Sequence, residues 1–516
     1  MDYTCNGGVK IISKELIKPS SPTPNHLKNL KLSLLDQLSP PVYISLIFFY
    51  EADELKSLTA DHAQICQQLK QSLSNTLTLF YPLAGKIDPD NFTIECNDNG
   101  VEFIEARAQA RLKDILHDPK LDQFQQYLPV DPLGGIYRGE GTLFMLQINF
   151  FECGGIAIGA CISHIVADGS SLVDFMNAWA STCRGQNPKP TKKFGVMANY
   201  FPARDLSDSN ISPSILMGND KLVTKRFVFD KEKLSALKQE ATGWSSSTGS
   251  DYVKDPTRVE VVSAFILKHF IEKKLFNAKK SLAAHVVNIR SRANASLEME
   301  HAFGNGYFLA AAYSPDCDEG SRVPQLHELV SELRRAIRRV DYEYVQEAQD
   351  EDRYLSDLGE LSDLATQGEV EAFVFSSWCR FPSYDVDFGW GSPVWVCTTA
   401  LLLNNIAILM STRSGDGIEA WINFLPDKVE AFENDNQFKL KAFVKYSSEN
   451  HSRLISITSD ENLWFFFDPI SEKNPDQYSQ YVSLLRDDNV SDVGGSSEQY
   501  NLGDDYVSDV GANSSL

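Results

Sequence analysis

Two closely spaced apolar runs, residues 142–151 and 156–162, form the clearest pattern in the chain. The segment Glu152-Cys153-Gly154-Gly155 separates them. Continuous apolar runs with a glycine-containing turn between them predict two buried β-strands. A helix is predicted to follow, capped by Ser170 or Ser171. Its apolar positions recur at helical spacing, at Leu172, Phe175, Met176 and Trp179.

Similar patterns continue on both sides of this unit. Apolar or alternating stretches predict strands at residues 9–17, 42–50, 225–229, 283–289, 371–378 and 417–424. Helical spacing predicts helices at residues 60–79, 256–274, 326–364 and 428–443, and one that begins at residue 231. Asp230 is predicted to cap that last helix. Residues 394–410 are interrupted by polar pairs and predict a hairpin of two buried strands, too polar to span a bilayer.

Length and charge limit the possible functions. The 516 residues are enough for two or three domains, and residues 191–215, rich in Pro, Lys and Ser, predict a crossover linker between two of them. The net charge of -22 argues against nucleic acid and anionic membranes as partners, since both attract basic surfaces.

The cysteines and the N-terminus indicate the compartment. Nine cysteines are scattered without metal-ligand spacing, which predicts free thiols in a reducing environment and no metal site. Residues 1–10 lack the apolar core of a secretory signal. We therefore expect a soluble, cytoplasmic protein.

Residues 447–516 differ in character from the rest of the chain. They are acidic, rich in Ser and Gly, and contain Val-Ser-Asp-Val-Gly twice, beginning at residues 490 and 507. Such composition predicts a disordered tail that the catalytic unit does not need. The run Leu463–Phe467 is its one strongly apolar stretch.

The best candidate for chemistry is His164, at the end of the second buried strand. A neutral imidazole there can accept a proton from a bound alcohol or amine, because its unperturbed pKa lies near physiological pH. The alternative is a core histidine with a structural role. Asp168 and Gly169 are predicted to shape the turn that holds the ring.

A second motif, Asp387-Phe388-Gly389-Trp390-Gly391, precedes Pro393. Two glycines around a tryptophan predict a sharply turned loop with a buried ring. Taken alone, this motif is interpreted as structural.

Together the two motifs resemble the plant BAHD family of acyl-CoA-dependent acyltransferases, over about residues 9–446. Supporting stretches are Phe80 to Lys86, Val287 to Arg290 and Ser376 to Trp378. The opening, residues 13–24, is most similar to the clade of alkaloid and terpenoid acetyltransferases that contains vinorine synthase. The tail after Tyr446 departs from the family, whose chains usually end near there.

The resemblance implies the fold class, α/β with two similar chloramphenicol-acetyltransferase-like domains. Each domain is a mixed β-sheet flanked by helices, and a channel passes between them. The implied boundaries are residues 1–190 for the domain with His164, 191–215 for the linker and 216–446 for the domain with Asp387.

The resemblance also implies roles for single residues. His164 is the general base, and Asp168 points away from the cavity and pairs with Arg290, with Arg292 as the alternative. Ser376, where many members have Thr, and Trp378 are candidates for stabilising the oxyanion. The resemblance implies structural roles, and support of the CoA side of the channel, for Asp387, Gly389, Trp390 and Gly391.

The implied reaction is transfer of acetyl from acetyl-CoA, or of another acyl group from its CoA thioester, to a hydroxyl of an alkaloid or terpenoid alcohol. It needs no metal, no acyl-enzyme and no permanently bound cofactor, and a monomer is expected. A serine nucleophile is disfavoured because the chain has no Gly-x-Ser-x-Gly elbow. Two alternatives stay open: acylation of sugars or other alcohols, and a catalytically silent relative that binds small molecules.

Overall fold

Two six-stranded β-sheets carry the fold in the computed structural model of this chain. The structure describes residues 8–51, 62–130, 141–186, 192–206, 211, 222–242, 253–278, 280–293, 297–314, 322–399, 403–433, 438 and 442. The strands are β1 Val9–Ile17, β2 Asn29–Lys31, β3 Tyr43–Tyr50, β4 Lys86–Asp88, β5 Thr93–Glu95, β6 Val101–Ala108, β7 Phe144–Phe151, β8 Ile156–Ser163, β9 Val223–Phe229, β10 Lys280–Asn288, β11 Tyr307–Tyr313, β12 Val370–Ser377, β13 Trp395–Cys397, β14 Ile406–Ser411 and β15 Ile418–Phe424.

The first sheet has the order β1-β6-β7-β8-β3-β13, and the second has the order β11-β10-β12-β14-β15-β9. A small third sheet has the order β2-β5-β4. Parallel and antiparallel pairs occur in both large sheets, for example β6 with β7 and β3 with β8. The predicted α/β class with mixed sheets is confirmed.

In the described part of the chain, α-helices lie between many of the strands. They are α1 Leu34–Gln37, α2 His62–Leu79, α3 Leu112–His117, α4 Gly169–Cys183, α5 Val196–Tyr200, α6 Lys231–Thr242, α7 Arg258–Glu272, α8 Leu297–Glu300, α9 Leu326–Arg339, α10 Tyr342–Asp350, α11 Arg353–Thr366 and α12 Pro426–Glu433. Helix α4 packs against α2, where the indole of Trp179 donates to the carbonyl of Leu69 at 3.2 Å. No helix in the described part of the chain is long and apolar enough to cross a membrane.

The helix caps test the local predictions. Asp230 accepts a hydrogen bond from the Lys233 N–H at 2.8 Å, so the predicted cap of α6 is confirmed. The predicted serine cap of α4 is wrong. Asp168 occupies the cap position with an extended backbone, and its carboxylate accepts from the Ser171 N–H at 2.9 Å. The helix therefore begins at Gly169, two residues earlier than a Ser170 cap would place it.

The predicted hairpin over residues 394–410 is also wrong. Strand β13 pairs with β3 in the first sheet, with Trp395 opposite Phe49, whereas β14 lies between β12 and β15 in the second. Side-chain hydrogen bonds explain the separation: the hydroxyl of Thr398 donates to the Ser45 carbonyl, and that of Thr399 lies 3.1 Å from the Ser45 hydroxyl. These contacts hold the first half of the run on β3, so the chain crosses between sheets.

Other predictions differ in extent. The long helix predicted at residues 326–364 is three helices, α9 to α11, and the last predicted helix is described only as α12. The linker predicted at 191–215 contains helix α5, whose Val196 and Met197 are buried. The predicted tail at residues 447–516 lies wholly outside the described residues. The domain boundaries stay a prediction.

The described cysteines are free thiols, as the sequence predicts. Cys66, Cys96, Cys161, Cys183 and Cys397 are buried. Burial raises the pKa of the Cys66 thiol to about 12, with the Glu105 carboxylate acting in the same direction. These thiols are therefore protonated packing groups at physiological pH.

Candidate active site

His164 follows directly on β8 and begins the turn that leads into α4. Its N–H donates to the Val42 carbonyl at 2.8 Å, which fixes the backbone against β3. The ring Nδ1 lies 3.1 Å from Oδ1 of Asn305, a residue just before β11. The turn thus brings a histidine from the first sheet against an asparagine beside the second.

Asn305 has one possible orientation in this network. Its Nδ2 donates to Oδ1 of Asp36 at 2.8 Å and to the His164 carbonyl at 2.7 Å. Both partners only accept, so Oδ1 of Asn305 faces the imidazole and accepts from Nδ1–H. Nε2 is left as the unprotonated nitrogen. Sequence reasoning missed Asn305 and Asp36, and the one local signal was that Asn305 stands between two glycines.

Burial lowers the pKa of His164 below its ordinary value, because the charged imidazolium is poorly solvated there. The carboxylate of Asp168 and the amide of Asn305 act in the opposite direction but do not reverse the shift. The ring is therefore neutral at physiological pH, which is the state that accepts a proton.

Asp168 pairs with Arg290, the partner that the family resemblance implied. Oδ2 of Asp168 accepts from Nη1 of Arg290 at 2.8 Å and from the Gly306 N–H at 3.1 Å. The other candidate, Arg292, donates instead to two backbone carbonyls at 2.6 Å each. Both carboxylate oxygens of Asp168 are occupied by protein donors, so this group holds the turn.

The pKa of Asp168 reports the same pairing. Burial alone would raise the pKa of the carboxyl group, but the Arg290 guanidinium and two backbone N–H donors outweigh it and hold the pKa below the ordinary value. Arg290 is itself buried and also donates to the carbonyls of Ala302 and Gly304, at 2.9 and 2.8 Å.

His164 lines a cavity of about 260 Å³ whose wall is formed by residues from both large sheets and from α11. Among the described residues that line it, Asp168 is the only one with a formal charge. Most of the others are apolar, among them Leu35, Val42, Val286, Leu361, Val374 and Ile408. The cavity therefore suits a ligand of low polarity.

Ser376 and Trp378, at the end of β12, line the same cavity. The indole N–H of Trp378 donates to Oγ of Ser376 at 3.0 Å. The hydroxyl proton of Ser376 has no acceptor among the residues that the structure describes, so it is available to a ligand. Trp378 thus orients the serine, and its own N–H is already occupied.

The loop Asp387 to Gly391 is built as a turn. Oδ1 of Asp387 accepts from the N–H groups of Gly389 and Gly391 at 2.8 Å each, and both glycines have positive φ, +105° and +97°. The ring of Trp390 is buried and lies edge-on to Tyr50 of β3. None of these five described residues lines the cavity that contains His164.

No metal site is evident in the described part of the chain, where no three or more His, Cys, Asp or Glu side chains are placed to share an ion. The side chains that line the cavity offer a candidate base at His164 and a candidate donor at Ser376.

Comparison with known proteins gives consistent results. A sequence model of the Transferase family matches residues 8–439. Stemmadenine O-acetyltransferase of Catharanthus roseus is 41% identical over 433 residues, covering 83% of this chain and 96% of that protein. Vinorine synthase of Rauvolfia serpentina is 41% identical over 425 residues, covering 81% and 94%.

Solved structures agree. The crystal structure of vinorine synthase superposes with a TM-score of 0.71 at 38% identity, covering 85% of this chain and 100% of that one. F. sporotrichioides TRI101, solved with Coenzyme A and T-2, gives a TM-score of 0.60 at 16% identity, which supports a shared fold alone.

Proposed function

This chain belongs to the BAHD acyltransferases of the Transferase family, and we propose that it transfers acetyl from acetyl-CoA to a hydroxyl group of an alkaloid or terpenoid alcohol. The observation that carries the proposal is the neutral His164 in the cavity, with Nδ1–H directed to Asn305 and Nε2 left to accept a proton. Ser376 supplies a hydroxyl donor to the same cavity.

The reaction takes place in a ternary complex of enzyme, acyl-CoA and alcohol. Nε2 of His164 accepts the hydroxyl proton while the alcohol oxygen attacks the thioester carbonyl carbon. A positioned base of this kind contributes roughly 10²–10⁴-fold in rate. The Ser376 O–H donates to the developing oxyanion, which is the charge that preorganised donors stabilise best.

The tetrahedral intermediate then collapses. The C–S bond breaks, CoA leaves as a thiolate, and His164 returns its proton to the sulfur. The thiol is a good leaving group because its pKa is ~8.5, far below that of an alcohol. The products are the ester and free CoA, and the enzyme returns to its starting protonation state.

Two observations support an apolar alcohol as the acceptor. The cavity wall is mostly aliphatic and aromatic, which gives an acyl sugar few partners for its many hydroxyls. Relatives are named for acetylating stemmadenine and, at 35% identity, a limonoid. CoA as co-substrate is supported at the level of the fold, because TRI101 structures contain it.

The test is a screen of alkaloid, terpenoid and sugar alcohols with acetyl-CoA, in which mass spectrometry detects esters and a thiol reagent measures released CoA. The His164→Ala variant should keep its circular dichroism spectrum and lose turnover by at least about 100-fold. The matched control is His26→Ala, which removes an exposed histidine and should leave turnover unchanged.

Turnover at the wild-type rate by folded His164→Ala would refute the mechanism. Binding of CoA and alcohols without ester formation by the wild-type protein would instead favour the catalytically silent relative. We further propose that the enzyme acts as a cytoplasmic monomer, which light scattering and a fluorescent fusion would test.

A further inference from the structure

Two tyrosines, Tyr307 and Tyr354, line the mostly apolar cavity. Tyr307 is the first residue of β11 and Tyr354 is the second residue of α11. Both line the cavity, and the ring of Tyr307 lies 5.8 Å from that of His164, centroid to centroid. The two hydroxyl groups form hydrogen bonds of opposite direction with the protein, so one is left to accept from a ligand and the other is left to donate to it.

Tyr307 offers a lone pair to the cavity. Oγ of Ser39 donates to the Leu35 carbonyl at 2.8 Å, an atom that only accepts, so the serine proton is already occupied. The Tyr307 hydroxyl lies 3.0 Å from the same Oγ and must be the donor of that second bond. Its oxygen is left able to accept and unable to donate.

Tyr354 has the opposite arrangement. Its oxygen accepts from the Leu309 N–H at 3.1 Å, and its O–H has no acceptor among the described residues. The ring stacks on Phe308 at 4.0 Å between centroids, and the residue is 5% exposed. Burial raises the pKa of this phenol, so the hydroxyl stays protonated.

We propose that the Tyr354 hydroxyl donates a hydrogen bond to a second polar atom of the acceptor, an oxygen without hydrogen or an unprotonated nitrogen, and thereby determines specificity. The inference rests on the proposed function and deepens it. The preferred acceptor is an apolar alcohol that also carries a carbonyl, ester or ether oxygen, or a free amine nitrogen, away from the acylated hydroxyl.

The physical reason is that a buried donor without a partner costs free energy, and a ligand that satisfies it regains that cost. A site built in this way discriminates against an analogue that lacks the matching atom. Tyr43 also lines the cavity, but its hydroxyl does not compete for the role because it donates to the Thr142 carbonyl at 3.0 Å.

The experiment compares Tyr354→Phe with wild-type enzyme on matched pairs of polycyclic alcohols, such as a steroid monoalcohol and its ring-ketone derivatives with the ketone at different positions. Wild-type enzyme should prefer at least one ketone through a lower KM. Tyr354→Phe should reduce that preference by about 3- to 10-fold, with little change in kcat, because one neutral hydrogen bond is lost.

The matched control is Tyr344→Phe. Tyr344 also packs on Phe308, but its hydroxyl donates to Oδ2 of Asp357 at 2.8 Å and does not line the cavity. This control should leave the preference unchanged. The ratio of two acceptors within one variant is insensitive to a loss of stability at Leu309, whose N–H loses its acceptor in Tyr354→Phe.

A preference that survives in Tyr354→Phe, or a wild-type enzyme that prefers no ketone in turnover or in binding, overturns the inference. Binding is followed by quenching of the fluorescence of Trp378, which lines the cavity. If the alcohols bind with the expected preference but are not acetylated, the proposed function fails and the specificity role of Tyr354 stands.

Discussion

Replacing Asp168 by Asn removes the negative charge from a buried ion pair and leaves the shape of the side chain unchanged. The carboxylate accepts three hydrogen bonds, from Arg290, Gly306 and Ser171. Asparagine is as good a helix cap as aspartate, so it can keep the bond from Ser171. In the orientation that keeps this bond, the amide NH2 takes the place of Oδ2 and faces the donors of Arg290 and Gly306. In the flipped orientation a neutral oxygen faces those two donors, and the bond from Ser171 is lost instead.

The expected loss is large because Arg290 cannot reach water. Its side chain is 6% exposed, and the carbonyls of Ala302 and Gly304 satisfy two of its other donors without neutralising its charge. Removing one member of a buried pair typically costs ~3–5 kcal/mol, and we expect Asp168→Asn to lie in this range. The turn that holds His164 would shift, and a displacement near 1 Å can lower kcat/KM by up to about 100-fold.

The assay is urea unfolding of Asp168→Asn, Arg290→Gln and the double variant, with kcat/KM measured on each. The double variant should lose less stability than the sum of the single ones, because each single change already breaks the pair. The matched control is Asp230→Asn, a helix cap with no arginine bond in the described structure, which should cost under about 0.5 kcal/mol. Additive losses in the double variant would refute the reasoning.

The same pair predicts a pH dependence of stability. The folded-state pKa of Asp168 is lowered, so its contribution is fully present above the unfolded-state pKa of ~3.9. It is lost as the pH falls through the folded-state value. Wild-type stability should therefore fall toward acid pH more steeply than that of Asp168→Asn, and parallel curves would contradict the assigned pairing.

Three further predictions concern other parts of the enzyme. Because burial lowers the pKa of His164, the acid limb of kcat/KM against pH should have an apparent pKa below 6.5, and a limb above 6.5 would contradict the neutral base. Trp390→Ala should lower the free energy of unfolding by ~3–5 kcal/mol. Asp387→Ala should raise the KM for acetyl-CoA. If these variants keep their stability but lose kcat, the loop lies at the chemistry instead. A chain ending at Tyr446 should keep kcat/KM within a few-fold, and unfolding of that chain would show that residues 447–516 belong to the core.

The strands were the most predictable part of the fold. Strand β1 is predicted at its observed bounds, and β7 and β8 agree within two residues, because apolar runs bounded by turn residues report burial directly. Such a run does not show which strand will be its neighbour in a sheet. Strands β13 and β14 have the apolar composition of a hairpin, yet β13 pairs with β3 in the other sheet, where Thr398 and Thr399 form hydrogen bonds with Ser45.

The site was predictable only where residues cluster in a motif. His164 and Asp168 lie within one turn and were found together. Asn305 lies 141 residues from His164 and 269 from Asp36, so no local pattern connects them. Tyr354 is one of 19 tyrosines in the chain, and only the three-dimensional arrangement shows that it lines the cavity and that its hydroxyl proton has no acceptor among the described residues.

The crossing of β13 onto β3 has a consequence for synthesis of the protein on the ribosome. Strands β7 and β8 have left the ribosome long before Cys397, so the outer edge of β3 stays unpaired until β13 has been synthesised. At ~5–20 residues per second, the wait from Ser163 to Cys397 is roughly 10–50 s. During that time Ile47, Phe48 and Phe49 form an unpaired strand edge, which is a template for pairing with another chain. The soluble yield of this enzyme from a fast-translating host should therefore depend on translation speed and chaperone supply more than on the stability of the finished fold.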